Sequence, residues 1–157
     1  MNKKHFEENL KSLGESGLPK FKGLDLSTFN TIGWLIANHF SYLNTQLSGN
    51  ELMLDVSNNG LDKVLIFKDD LIYEFKFDQS SNDNDIETIK IFKTKVTEIG
   101  VKYKNLAAVD DWININMQPK LDYLELNLEE FNDTFILNEK NCNYNIIEVY
   151  EKLKNMI

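Results

Sequence analysis

Residues Glu51–Phe77 read ELMLDVSNNGLDKVLIFKDDLIYEFKF, and the fold class turns on them. Leu52, Leu54 and Val56 alternate with Met53 and Asp55, the period of a strand with one buried face. Asn59-Gly60 supplies the positive φ values that a two-residue hairpin turn needs. Val64, Leu65, Ile66 and Phe67 then form an unbroken apolar run, which predicts a central strand buried on both faces. Asp69-Asp70 breaks that run. Leu71, Tyr73, Phe75 and Phe77 follow at a spacing of two, with Glu74 and Lys76 between them. A slip of one residue would bury Glu74 and Lys76, so the register is strongly specified. The stretch predicts three consecutive strands joined by two tight turns.

Toward the N-terminus, Phe6, Leu10 and Leu13 predict a helix over Asn2–Leu13, ended by Gly14 and Gly17. Leu18–Leu26 reads as an irregular connection, with Pro19 and Gly23. Ser27 or Thr28 is an N-cap candidate. The stripe Ile32, Leu35, Ile36, Phe40, Leu43 and Leu47 predicts a second helix over Phe29–Leu47, stopped by Ser48-Gly49-Asn50.

Toward the C-terminus, Gln79–Asp85 is a polar tip. Ile86–Lys104 is rich in strand formers, but its alternation slips between Phe92 and Val96. The slip predicts a bend, bulge or turn near Thr94–Thr97, with Gly100 as a second break. Trp112–Met117 alternates as a strand ended by Pro119. Tyr123–Leu128 is another, Glu129–Asp133 a turn, and Thr134–Asn138 a last short strand. Asn145 with Glu148 three residues later marks the start of a closing helix, whose packed face is Ile146, Val149, Tyr150, Leu153 and Met156.

Strands in succession without intervening helices predict an α+β fold in one domain, residues 1–157. It has an N-terminal helical pair, an antiparallel bent sheet or barrel of about seven strands, and a C-terminal capping helix. From about residue 50 to 157 this order of hairpins followed by one helix resembles the pleckstrin-homology-like barrel. The resemblance rests on element order alone, and the N-terminal helices depart from it. It implies binding of lipids, peptides or proteins rather than catalysis.

At 157 residues the chain can bury a core without staples, and its single cysteine, Cys142, excludes an intrachain disulfide. The start, MNKKHFEENLKSLGE, lacks the apolar region of a secretory signal, and no window is long and apolar enough to span a membrane. A cytoplasmic location is the resulting expectation. A net charge of −8 argues against binding nucleic acid through phosphates. All 17 basic residues are Lys, so the planar Arg fork for carboxylate or phosphate is missing. Lys, Asn and Ile abundance without Arg points to an AT-rich bacterial or phage genome.

Two surfaces are candidates for recognition. Lys90, Lys93, Lys95, Lys102 and Lys104 concentrate positive charge in an acidic chain, as a site for an anionic lipid headgroup or phospho-ligand would. The competing reading is a solvated strand face whose lysines discourage edge pairing. Downstream, Asp110, Asp111, Trp112, Tyr123, Glu125, Glu129 and Glu130 lie in an acidic third suited to a basic protein partner, as in immunity proteins or phage-encoded inhibitors. Self-association is a further possibility. Trp34 and Tyr42 are aromatic interface candidates.

Catalytic and metal signals are weak. Asp78, Asn82, Asp83, Asn84 and Asp85 are oxygen-rich but lack the glycine and terminal glutamate of a calcium loop. His5 and His39 show no zinc spacing. A hydrolase would need Cys142, paired with His39, or a carboxylate pair such as Asp110-Asp111 or Glu129-Glu130 in a cleft; no motif accompanies the thiol, and adjacent turn acids are ordinarily solvated. The expectation is a binding protein with no cofactor or metal.

Overall fold

A computed structural model describes residues 3–16, 26–57, 63–78, 85–103 and 121–157. Two helices come first, α1 (Lys3–Ser16) and α2 (Leu26–Tyr42). Four strands follow, β1 (Leu52–Asp55), β2 (Lys63–Lys68), β3 (Leu71–Asp78) and β4 (Asp85–Phe92). Then come β5 (Val96–Tyr103), β6 (Leu121–Leu128), β7 (Phe135–Leu137) and a last helix, α3 (Ile146–Lys154). The fold is α+β. The described strands form two antiparallel sheets, β1-β2-β3-β4 and β5-β6-β7, rather than a closed barrel.

The four-stranded sheet lies between two apolar cores. Met53, Val64, Ile66, Tyr73, Phe75 and Phe77 face Leu13 of α1 and Ile32, Ile36, Ala37 and Phe40 of α2. Phe40 sits with its ring centroid 4.9 Å from Tyr73 and 5.2 Å from Phe75. The alternate residues Leu52, Leu54, Leu65, Phe67 and Ile72 face the three-stranded sheet and α3. Those elements contribute Val96, Leu124, Leu126, Leu128, Leu137, Ile146, Val149 and Leu153. This layering explains the unbroken Val64–Phe67 run: side chains alternate across β2 and both faces are covered. The pairing of Val64 with Phe75 and of Ile66 with Tyr73 is the register that keeps Lys76 in solvent.

Buried polar side chains join the layers. Asn9 of α1 is fully buried. Its Oδ1 accepts the Leu47 N–H at 2.7 Å and its Nδ2 donates to the Thr45 carbonyl at 2.9 Å. The Glu51 carboxylate accepts from the Ser48 N–H (2.6 Å), the Ser48 hydroxyl (2.9 Å) and the Gly49 N–H (2.9 Å), with Lys68 Nζ at 3.6 Å. It thereby closes the loop before β1, where Gly49 has φ +92°. The outer edge of β1 is covered by residues 141–143. Asp55 N–H donates to the Asn141 carbonyl, and Cys142 bridges Leu54.

Several boundaries differ from the sequence expectation. α1 continues through Gly14 to Ser16. A Cβ at Gly14 would meet nothing within 4 Å, so the position is open helix surface. α2 begins at Leu26, ahead of Ser27 and Thr28, and stops at Tyr42 instead of Leu47. Asn44 adopts φ +53°, the Thr45 N–H bonds the Phe40 carbonyl, and the Asn44 N–H bonds the Ser41 carbonyl. That is a Schellman closure with Asn in the glycine position. Leu47 is buried in the helical core from the loop beyond. The slip after Phe92 has two parts: Lys93–Lys95 carries the chain from one sheet to the other, and the β5–β6 pairing shifts register between Val96 and Glu98, with Thr97 as the extra residue of a bulge. β5 runs through Gly100 unbroken. β7 is three residues, shorter than Thr134–Asn138. The expected Asn59-Gly60 turn and the Trp112–Met117 strand lie outside the described residues.

Candidate functional site

The segment 121–157 carries eight carboxylates and three lysines. Inward positions of β6 and α3 are apolar, so its charge is forced outward. Asp122, Glu125, Glu129, Glu130, Asp133, Glu139, Glu148 and Glu151 are all exposed. None of the eight makes an ion pair within 4.0 Å among the described residues. Two of the three lysines lie over aromatic rings instead. Lys152 Nζ is 4.5 Å from the Tyr144 ring centroid, and Lys154 Nζ is 5.8 Å from that of Tyr150.

The outward face of the three-stranded sheet carries part of this charge, while α3 packs against the inward side, with Leu124, Leu126 and Leu128. Cross-strand pairing sets Glu125 between Gly100 and Ile136, Tyr123 opposite Lys102, and Asn127 opposite Glu98. Glu125 reaches across Gly100: a Cβ there would lie 3.1 Å from Glu125 Oε2. Ile136 is 48 % exposed beside it, and Ile147 of α3 is 62 % exposed. Glu129 and Glu130 are held in the β6–β7 turn. Their N–H groups donate to the Lys95 carbonyl and the Thr94 hydroxyl, at 3.0 and 3.2 Å. Phe131 anchors the turn, with ring centroids 5.7 Å from Phe92 and 5.1 Å from Phe135. Of the expected acidic surface, Tyr123, Glu125, Glu129 and Glu130 are thus on one structural unit. Asp110, Asp111 and Trp112 lie outside the described residues.

The lysine stretch is divided. Lys90, on β4, pairs across the strands with Glu74, and its Nζ is 5.3 Å from the Phe92 ring centroid. Lys102 is on the other sheet, and Lys104 lies outside the described residues. Lys93 and Lys95 share a cleft of about 550 Å³ where four elements end. Asp69 and Asp70 of the β2–β3 turn, Glu129, and Asn155 and Met156 after α3 also line it. Phe67, Leu71, Ile72 and Val96 give it apolar lining. Two lysines among three carboxylates do not make the one-signed field that a phosphate group selects. Asp69 and Asp70 had no sequence signal as site residues; the pairing of Ile72 with Phe92 is what brings their turn beside Lys93.

Cys142 is fully buried, and burial first, then the Asp55 charge, pushes its thiol up to about 12. It packs in the core shared with the three-stranded sheet, whereas α2, which carries His39, packs on the opposite face of the four-stranded sheet. The two cannot form a nucleophile–base pair without unfolding. Trp34 is half exposed, its ring edge-on to Phe6 at 5.3 Å, and Tyr42 is 73 % exposed. No described helix is long and apolar enough to cross a membrane, and the described residues hold no group of three or more His, Cys, Asp or Glu placed for a metal. Compared with protein-family models, curated proteins and solved structures, the chain matches none.

Proposed function

We propose that the protein acts by binding a basic protein partner through the acidic surface of β6, the β6–β7 turn and α3. The observation that carries this reading is the set of eight exposed carboxylates, none in an ion pair among the described residues, on a segment two of whose three lysines lie over tyrosine rings. Like charges concentrated on one segment in this way repel and cost stability. They also produce a field that steers a cationic partner and raises its association rate. Ile136, opposite Glu125, and Ile147 of α3 add exposed apolar area on the same segment, the kind of contact that outlasts the encounter.

An oligolysine peptide titrated into the isotope-labelled protein at low salt tests the reading, with oligoglutamate as control. Amide shifts confined to β6, the turn and α3, lost in the Glu125→Lys/Glu129→Lys/Glu130→Lys variant, support it. Shifts spread evenly over the chain, or none, sink it. Vesicles of anionic phosphatidylglycerol form the competing arm: salt-sensitive binding to them that is lost with Lys93 and Lys95 would favour the headgroup reading instead.

A further inference from the structure

We propose that the cleft between the two sheets binds a short zwitterionic peptide with an apolar side chain. Its composition selects such a ligand by elimination. Phe67, Leu71, Ile72 and Val96 offer an apolar lining, and about 550 Å³ is within the usual range of small-ligand pockets. Lys93 and Lys95 stand on the β4–β5 connection, and Asp69, Asp70 and Glu129 on the two turns. All five charged side chains are exposed. Neither lysine is within 4.0 Å of a carboxylate among the described residues, and Asp70 and Glu129 make no ion pair there either.

Both signs are therefore present and largely unspent around an apolar lining. A simple anion would meet three carboxylates, and a simple cation would meet two ammonium groups. A free peptide offers its α-carboxylate to Lys93 and Lys95, its α-ammonium to the acids, and its side chain to Phe67 and Ile72. The site is framed by backbone: the Glu129 N–H is bonded to the Lys95 carbonyl, and Lys68 pairs with Leu71 around the Asp69-Asp70 turn. The pocket shares Glu129 with the acidic surface but does not need that surface to bind a protein.

The test titrates the full isotope-labelled chain with the dipeptide leucyl-phenylalanine, its N-acetylated form and its C-amidated form. Amide shifts are expected at Asp70, Leu71, Thr94 and Lys95 with the free dipeptide. Blocking either end should weaken binding by about fivefold, the scale of one solvent-exposed ion pair. In the Lys93→Glu/Lys95→Glu variant, which alters only exposed side chains, amidation should no longer weaken binding. Equal binding of all three forms would overturn the proposal, as would no shift at about 10 mM ligand, weaker than any affinity of use in a cell. Tighter binding of a longer peptide with the same C-terminal pair would also overturn it, because the occupant would then be the tail of a protein. A Glu125→Lys/Glu130→Lys variant leaves all five charged groups of the cleft in place, so loss of oligolysine binding there with both end-blocks still weakening the dipeptide separates the two readings.

Discussion

The side chain of Asn143 stands in for a strand beside Met53. Its Oδ1 accepts the Met53 N–H at 2.8 Å, and its Nδ2 donates to the Glu51 carbonyl at 2.8 Å. The Asn143 N–H also donates to the Met53 carbonyl at 3.3 Å. One fully buried amide thus satisfies backbone groups along the outer edge of β1, which would otherwise invite another chain.

Asn143→Ala removes these two side-chain bonds from the buried edge of β1. The expected loss is about 2–4 kcal/mol of unfolding free energy. Urea denaturation followed by far-UV circular dichroism measures it. A loss under about 1 kcal/mol would show that water replaces the amide.

Glu51 sets an acid limit on the fold. Burial by itself would raise its pKa. The Ser48 N–H, its own N–H, the Ser48 hydroxyl and the Gly49 N–H together outweigh burial and hold the carboxyl below its ordinary 4.5. A group with a lowered folded pKa binds fewer protons folded than unfolded. Its contribution is therefore complete above the unfolded value and is lost as pH falls through the folded one. Glu51→Gln should destabilise most at neutral pH, with the gap to the parent closing as the solution is acidified. Urea midpoints measured from about pH 3 to pH 7 report this. A gap that stays constant would assign the effect to packing.

Cys142 should behave as a core residue rather than a reactive thiol. With its pKa near 12, almost no thiolate is present at neutral pH, and the sulfur is enclosed. Iodoacetamide labelling should be slow in the native protein and should accelerate with urea in step with global unfolding. Labelling at the rate of an open peptide thiol in native buffer would contradict the packing described.

Asp69 has φ +54°, a conformation that disfavours most side chains and β-branched ones above all. Asp69→Val should cost about 1–2 kcal/mol, while Asp69→Gly should be neutral or slightly stabilising. Thermal melts of the pair check this. If both variants destabilise equally, the carboxylate itself matters to the turn, and its 3.9 Å approach to Lys68 is the contact to examine next.

Periodicity carried much of the fold into view. The Val64–Phe67 run, the alternation from Leu71 to Phe77 and the Asn145–Glu148 box each state a local preference that the structure keeps; the Asn145 side chain does accept the Glu148 N–H, at 3.0 Å. The end of α2 was hidden because Leu43 and Leu47 continue the helical spacing while Asn44 turns the backbone out of it. Leu47 still reaches the core, so an apolar pattern marks burial rather than helix.

What the linear order determined was which faces must leave water, because side-chain period and hydrophobicity act on neighbours a few residues apart. The tertiary structure alone decided which distant groups became neighbours. It set Asp69 beside Lys93, Cys142 on the far side of a sheet from α2, and Asn143 along β1. Those placements follow from strand pairing and from packing two sheets around shared apolar residues, and contacts across 90 residues leave no trace in local spacing.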